Sequence, residues 1–444
     1  MARENVMKIE SVNREIVRMT VPTVLSNIAV PLLGLCDTAV AGHMGNEKYL
    51  AGIAIGSVMV TTMYWLFSFL RAGTSGLTAV SYGANDKKGM GYCLLRSLSV
   101  AIFIGLFIMA VHVPVLAILQ KAMGASHDVT ELSGRYFFIC IKGAIPMMML
   151  TALTGWFIGM QSTAVAMAIN ICMSLLNVVA TLTFVYGMKL GFEGIAYGTL
   201  AAQWLILIPA VWIAIIMCRK KGIVFKFEKS WMLDFPAWKQ MFNVNSNLFF
   251  RSACLIALTM MLYAYSARLG DIEVSSNAVI NQLFLFFSYF MDGFAFTGEA
   301  LIGRYNGAKD INMLRKSVSA LLKWTVGITA LFATAYSIAL PLISGFLSDS
   351  RNVVESVVEC RIWVSLLPIA GAAAFIFDGF YIGLTRTLPM LISTVCGVGL
   401  FVVILQFVDH SQRMLWMAFT CYLFFRSLIL ILLFPMNSYI NSKA

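Results

Sequence analysis

Long apolar segments alternate with short polar ones along this chain, and no segment alternates apolar and polar residues with period two. Stretches of roughly 20 apolar residues are long enough to cross a bilayer as helices. Twelve such spans are read here: 15–42, 47–75, 91–119, 130–157, 163–188, 191–218, 238–268, 273–300, 316–344, 352–380, 386–408 and 412–438. Without the alternation that a membrane β-barrel needs, the pattern predicts an all-α integral membrane protein. The leading residues, MARENVMKIESVNREIVRM, mix apolar residues with charges of both signs. They read as a short surface helix running into span 1, not as a cleaved secretory signal.

Composition strengthens that reading. Of 444 residues, 60% are hydrophobic and only 12% are charged, whereas a soluble domain is about half apolar and a quarter charged.

The longest basic connection, Arg219 to Lys239, divides the spans into two sets of six. This predicts an N-terminal lobe over 1–218, a cytoplasmic linker over 219–239 and a C-terminal lobe over 240–444. The halves repeat at a constant offset of 224. Gly83, Ala84 and Asp86 match Gly307, Ala308 and Asp310; DVTE at 128–131 meets NVVE at 352–355; FIGMQST at 157–163 meets YIGLTRT at 381–387. Six helices per half is an even number, so both halves face the same way and the duplication is a parallel repeat. Related halves flanking a central site are a recurring transporter design.

The net charge of +11 could suggest a nucleic-acid partner, but its placement argues otherwise. With the N-terminus inside, 20 Lys and Arg fall at cytoplasmic ends and 8 at the outer ends. This follows the positive-inside rule. It places both termini in the cytoplasm, and the absence of a targeting sequence suits a prokaryotic cytoplasmic membrane. The nine cysteines form no C-x-x-C pair, the four histidines are dispersed, and no G-x-x-x-x-G-K-[ST] occurs. Metal, redox-cofactor and nucleotide-driven chemistry therefore have no motif, no cofactor is expected, and no nucleophile–base pair suggests an enzyme.

Polar residues inside spans carry the remaining information. Asp37 lies in span 1, while Asn177 and Thr181 stand one turn apart on span 5 and share a face. Thr199 lies on span 6 at similar depth. Neutral side chains of this kind also hold membrane helices together, so Asn177, Thr181 and Thr199 fit either a site or an interhelical contact. Asp37 is different, because no Lys or Arg shares its depth in spans 1, 5 or 6. An ionised carboxylate there is unfavourable, and binding a proton or cation relieves it. Pro22 and Pro31 permit a bend in span 1. In the second half, Arg251, Asp292, Glu299 and Asp378 suggest an ion-pair network. Lys142, in span 4, has no partner evident from the sequence.

Three stretches carry a family resemblance over essentially the whole chain: P-x-x-L…DTAVAGHMG in span 1, SARLG…NQLFLFFSYFMDGFAFTGEALIGRYNGAKD around span 8, and FDGFYIGLTRT in span 10. They resemble the multidrug and toxic compound extrusion (MATE) family, in its DinF-like branch. The resemblance implies a V-shaped, monomeric transporter of two six-helix bundles that exports organic, mostly cationic compounds in exchange for H⁺ or Na⁺. The partners it implies are those substrates, the coupling cation and membrane lipid. It puts the family's coupling aspartate on Asp37, its helix 1 proline on Pro22, its helix 5 asparagine on Asn177 and its helix 6 threonine on Thr199. Many relatives carry a second aspartate where this chain has Thr181. One carboxylate offers a hard cation fewer anionic oxygens, which favours H⁺ over Na⁺. The alternative within the same superfamily is a flippase for lipid-linked precursors, which the few cations inside the spans disfavour.

Overall fold

The computed structural model describes residues 2–42, 44, 47–123, 126–223, 234–407 and 411–435, so most of the expected linker lies outside the described residues. The described chain is almost entirely helical: α1 (Ala2–Gly42), α2 (Glu47–Leu66), α3 (Phe69–Gly83), α4 (Lys87–Met123), α5 (His127–Cys140), α6 (Ala144–Gly159), α7 (Thr163–Leu182) and α8 (Phe192–Lys220). The second half supplies α9 (Phe235–Leu269), α10 (Asp271–Gly307), α11 (Ile311–Leu347), α12 (Arg351–Glu359), α13 (Arg361–Gly383), α14 (Leu388–Phe407) and α15 (Gln412–Leu432). Eleven segments among the described residues are long and apolar enough to cross a membrane. Alongside them, α1 carries the first of the twelve spans read from the sequence.

Several spans are less regular than their hydropathy suggests. Span 2 is two helices, α2 and α3, joined through Phe67 and Ser68, where three-residue hydrogen bonds replace four-residue ones. Span 4 is α5 and α6 around a 3₁₀ turn at Ile141–Gly143. Span 10 breaks at Cys360 into α12 and α13, and α7 continues into a π turn at Thr183–Gly187. A break of one turn leaves the composition of a 20-residue window unchanged, so hydropathy does not register it.

The repeat reappears as geometry. The YGAND and NGAKD stretches end their helices with Asn85 and Lys309 in the left-handed region, at φ 53° and 56°. The aspartate that follows caps the next helix. Asp86 Oδ1 accepts from the Gly89 N–H at 2.9 Å, and Asp310 Oδ1 accepts from the Met313 N–H at 3.0 Å. An N-cap carboxylate satisfies an amide that the first turn leaves open. Gln161 and Thr385, also 224 apart, take the same left-handed conformation at φ 63° and 56°.

Close helix crossings repeat as well. Gly155 and Gly159 of α6 lie against the α3 backbone, where a Cβ on Gly159 would sit 2.6 Å from the Ser75 carbonyl oxygen. Gly379 and Gly383 of α13 lie the same way on α10, where a Cβ on Gly383 would sit 2.8 Å from the Glu299 carbonyl oxygen. This is the small-x-x-x-small packing through which membrane helices approach most closely. Both contacts keep the offset of 224.

Two compact units result, Leu25–Trp238 and Met1–Val24 with Lys239–Ala444. The division falls inside α1, two residues after Pro22. In the second unit, Thr20 of α1 meets Thr297 of α10 at 2.8 Å, and Glu15 receives Arg304 at 2.6 Å. An aromatic core of Phe287, Phe332 and Phe375 packs edge to face there.

Candidate functional site

In the first unit, polar contacts between α1 and α7 recur after the same eleven residues on each helix. Asn170 Nδ2 donates to Ser26 Oγ at 3.2 Å, and Thr181 Oγ1 donates to Asp37 Oδ1 at 3.2 Å. Equal spacing means that the two helices run parallel in constant register, with the contacts about 16 Å apart at ~1.5 Å per residue. Asn177, one turn before Thr181, also lies within hydrogen-bonding reach of Asp37. Its amide donates to Thr199 Oγ1 of α8 at 2.9 Å. The approach of α8 is permitted by Gly198, where a Cβ would stand 2.7 Å from the Thr181 backbone nitrogen. Asp37, Asn177, Thr181 and Thr199 are thereby gathered from three helices.

A further layer comes from α5, which sequence reasoning did not include. The Tyr136 hydroxyl lies beside Thr199 and Cys140, near enough to Asp37 to feel its charge. The ring of Tyr136 rests on Gly56 of α2. Tyr64 Oη donates to the Cys140 carbonyl at 3.0 Å, at the point where α5 gives way to the 3₁₀ turn. Tyr136 and Tyr64 are both buried. Their hydroxyls were the available signal, since a buried Tyr O–H finds a partner.

Asp37 is half-buried, and among the described residues no Lys, Arg or His pairs with it. Its surroundings are neutral hydroxyls and an amide. The arrangement can hold an ionised carboxylate by hydrogen bonds or a protonated one by a reversed bond, but it supplies no fixed counter-charge.

The second unit differs. Arg251 of α9 and Arg426 of α15 both donate to Asp378 Oδ2 on α13. Arg426 also approaches the Tyr422 hydroxyl at 3.4 Å. Sequence reasoning included Arg251 and Asp378 but missed Arg426, whose signal was a lone cation inside span 12. Asp292 lies near enough to act on Arg251 and accepts from Ser288 at 3.4 Å. Glu299 is fully buried at the α10–α13 crossing. α1 stays helical through Pro22 and Pro31. There the Thr23 hydroxyl caps the Met19 carbonyl at 3.0 Å. Lys142 lies over the Phe138 ring, 4.9 Å from its centroid.

Comparison with known proteins places this geometry. The MatE family profile matches residues 22–183 and 248–408. DNA damage-inducible protein F of Escherichia coli is 30% identical over 418 residues, covering 93% of this chain and 90% of that one. A probable multidrug resistance protein NorM of Halalkalibacterium halodurans is 22% identical over 341 residues, with 74% and 73% covered. Among solved structures, MATE in the straight conformation superposes with a TM-score of 0.83 at 17% identity, covering 98% of this chain and 97% of that one. MATE in the bent conformation gives 0.83 at 17% identity, with 97% of each covered.

Proposed function

The chain belongs to the MatE family, whose members are transporters and not enzymes, and we propose that it exports organic, mostly cationic compounds in exchange for protons, with Asp37 as the coupling site. The multidrug resistance named for its NorM relatives supports efflux as the direction and small organic molecules as the cargo. One observation carries the coupling assignment: a carboxylate on a membrane helix faces Thr181 and Asn177, with no cation paired to it among the described residues.

The hydrogen bonds indicate how a proton acts. Ionised Asp37 accepts from the Thr181 hydroxyl, whereas the protonated acid gains a donor of its own, keeps an acceptor oxygen and loses the charge that strengthens the contact. The Ser26–Asn170 contact has no titratable member and is indifferent to the proton. Protonation therefore weakens a charge-assisted contact between α1 and α7, biasing the helix toward whichever conformation better accommodates a neutral Asp37. Pro22, lacking an amide donor, gives α1 a place to bend. Binding of the proton and of the cationic substrate would exclude one another, in a monomer that alternates its access with both termini in the cytoplasm of a prokaryotic cell.

The test is transport in proteoliposomes with pH and Na⁺ gradients imposed separately. Export by the unmodified protein should follow the pH gradient, and Asp37→Asn should abolish that response while the protein remains folded. Wild-type rates from Asp37→Asn under a pH gradient, or robust Na⁺-driven export at equal pH, would overturn the assignment. Scrambling of lipid-linked sugars with no drug export would do the same for the substrate class.

A further inference from the structure

Resting on the transport reading above, we propose that Arg96 is a positioning residue. It anchors the start of α9 in the first unit, so that α9, which continues into the second, passes movement between the two. Arg96 lies nine residues after Lys87, where α4 begins, and its side chain is only 8% exposed. A buried cation inside a span requires an anion, and here the anion comes from beyond the linker. Arg96 Nη2 donates to Asp234 Oδ2 at 2.8 Å, and the guanidinium lies over the rings of Tyr92 and Trp238 at 5.8 and 5.9 Å. The other Asp234 oxygen accepts from the Ala237 N–H at 3.3 Å. One carboxylate thus closes the first turn of α9 and ties that turn to α4.

The other end of the linker is held on the same unit. Lys221, which follows α8, donates to the Tyr82 hydroxyl of α3 at 3.2 Å and lies 4.5 Å from the centroid of that ring. The division between the units falls after Trp238, four residues into α9, which runs unbroken to Leu269. Both ends of the linker therefore belong to the first unit, and the crossing to the second is made inside a helix. A packed, rigid element can carry displacement from one place to another, whereas a loop absorbs it.

The repeat contains the reciprocal arrangement. At the offset of 224, α4 (Lys87–Met123) becomes α11 (Ile311–Leu347), both 37 residues long. On α11, Trp324 Nε1 donates to Asn13 Oδ1 of α1 at 3.3 Å. Trp324 is equivalent to Val100, one turn after Arg96, and Asn13 is equivalent to Ala237, beside Trp238. The start of α1 thus sits on the second unit, and α1 enters the first after Val24. In each unit the same helix of the repeat holds the start of the helix that opens the other unit. The place is shared but the chemistry is not, because Arg96 corresponds to Ala320. The common fold needs no cation there, and the ion pair is particular to the α9 crossing.

The experiment uses the purified full-length protein in proteoliposomes and follows exchange of labelled for unlabelled ethidium at equal pH and Na⁺ on both sides, so the identity of the coupling ion does not enter. Arg96→Met should slow exchange by about tenfold, the population shift that one charge-assisted hydrogen bond represents, with half-saturation unchanged. Arg96→Lys should keep most of the rate. Asp234→Asn keeps an acceptor for the helix cap and should act as Arg96→Met does. Amide hydrogen exchange over 235–241 should quicken in both slow variants. In a protein carrying Arg96→Cys and Asp234→Cys, a short, reducible bis-methanethiosulfonate should restore ethidium exchange, measured against wild type given the same reagent. Wild-type rates from Arg96→Met and Asp234→Asn would overturn the proposal, as would a bridged protein that stops and resumes on reduction, since the pair would then have to open. If the wild type exchanges no ethidium, the organic-cation reading fails, and unchanged amide exchange over 235–241 overturns the anchor by itself.

Discussion

Asp378 is the residue whose loss should damage the second unit most, and the shared oxygen explains why. Arg251 and Arg426 both bond Oδ2, so their guanidinium nitrogens lie within about 6 Å of each other, twice an ordinary hydrogen-bond length. At an effective dielectric near 20, like charges at that separation repel by about 3 kcal/mol. Asp378 holds them together from a side chain only 9% exposed, and the Arg426 side chain is 5% exposed. Asp378→Asn keeps the shape and one acceptor but strands two cations, of which Asp292 faces only Arg251. Breaking a buried ion pair in this way costs about 3–5 kcal/mol. Arg426→Met should cost less, because it leaves a neutral Arg251–Asp378 pair. Adding Arg426→Met to Asp378→Asn should recover part of the loss. Fluorescence-detected size exclusion after heating in detergent reads the order directly: wild type, Arg426→Met, the double variant, then Asp378→Asn. If Asp378→Asn is as heat-stable as wild type, or if Arg426→Met is the more damaging, Asp378 is not the shared counter-ion.

Three further outcomes follow from other contacts. Thr181→Asp puts a second carboxylate beside Asp37 and should raise the apparent proton affinity of transport and confer Na⁺ sensitivity, read in the same proteoliposomes; unchanged pH dependence would separate Thr181 from coupling. Gly155→Ala and Gly379→Ala should each lower heat stability by about 1–3 kcal/mol through overpacking, because their added methyl groups meet the backbones of Arg71 and Ala295; tolerance of either would show that its helix crossing can open. At an exposed helix end just before span 4, the Lys48 ammonium holds the Asp128 carboxyl below its ordinary 3.8. That depressed value makes the contact between α2 and α5 stabilising above pH 4 and lost as pH falls further, so Asp128→Asn should be indistinguishable from wild type in acid and, for so exposed a pair, only slightly weaker at neutral pH.

What the sequence made legible was whatever depends on composition and period. Twenty-residue apolar windows located the spans because a lipid-exposed helix must be apolar along its whole length. The duplication was visible in YGAND and NGAKD because the helix-capping role holds an aspartate at Asp86 and Asp310, even though the left-handed residue before it changes from Asn85 to Lys309. Asp37 stood out because a carboxylate is costly in a span. Tyr136, Tyr64 and Arg426 were not legible to the same degree. A tyrosine in an apolar run is ordinary, and only the crossing of α5 with α8 brings Tyr136 to Thr199. Arg426 gains its meaning from α13, 48 residues earlier, whose Asp378 already had a nearer cationic candidate in Arg251. The passage of α1 from one unit to the other leaves no mark in hydropathy, since the apolar span read over 15–42 runs across the division at Val24 without a break.

The two units keep one frame and diverge in chemistry, and that contrast bears on the assignment of the coupling site. By the offset of 224, the left-handed residues, the aspartate caps and the glycine crossings recur in both. The polar residues do not. Asn177, Thr181 and Thr199 correspond to Phe401, Leu405 and Leu423, while Asp378 and Arg426 correspond to Thr154 and Ala202. Neither cluster is therefore a requirement of the shared fold. Each also has a different capacity for change. Asp378 is committed to two guanidiniums, and taking up a proton or a cation there would cost both contacts. Asp37 is held by a hydroxyl and an amide that can rotate to serve either protonation state. A coupling ion must bind and leave in every cycle, so it requires the second kind of site. On that ground we propose Asp37 as the coupling acid, with Asp378 holding α9, α13 and α15 together.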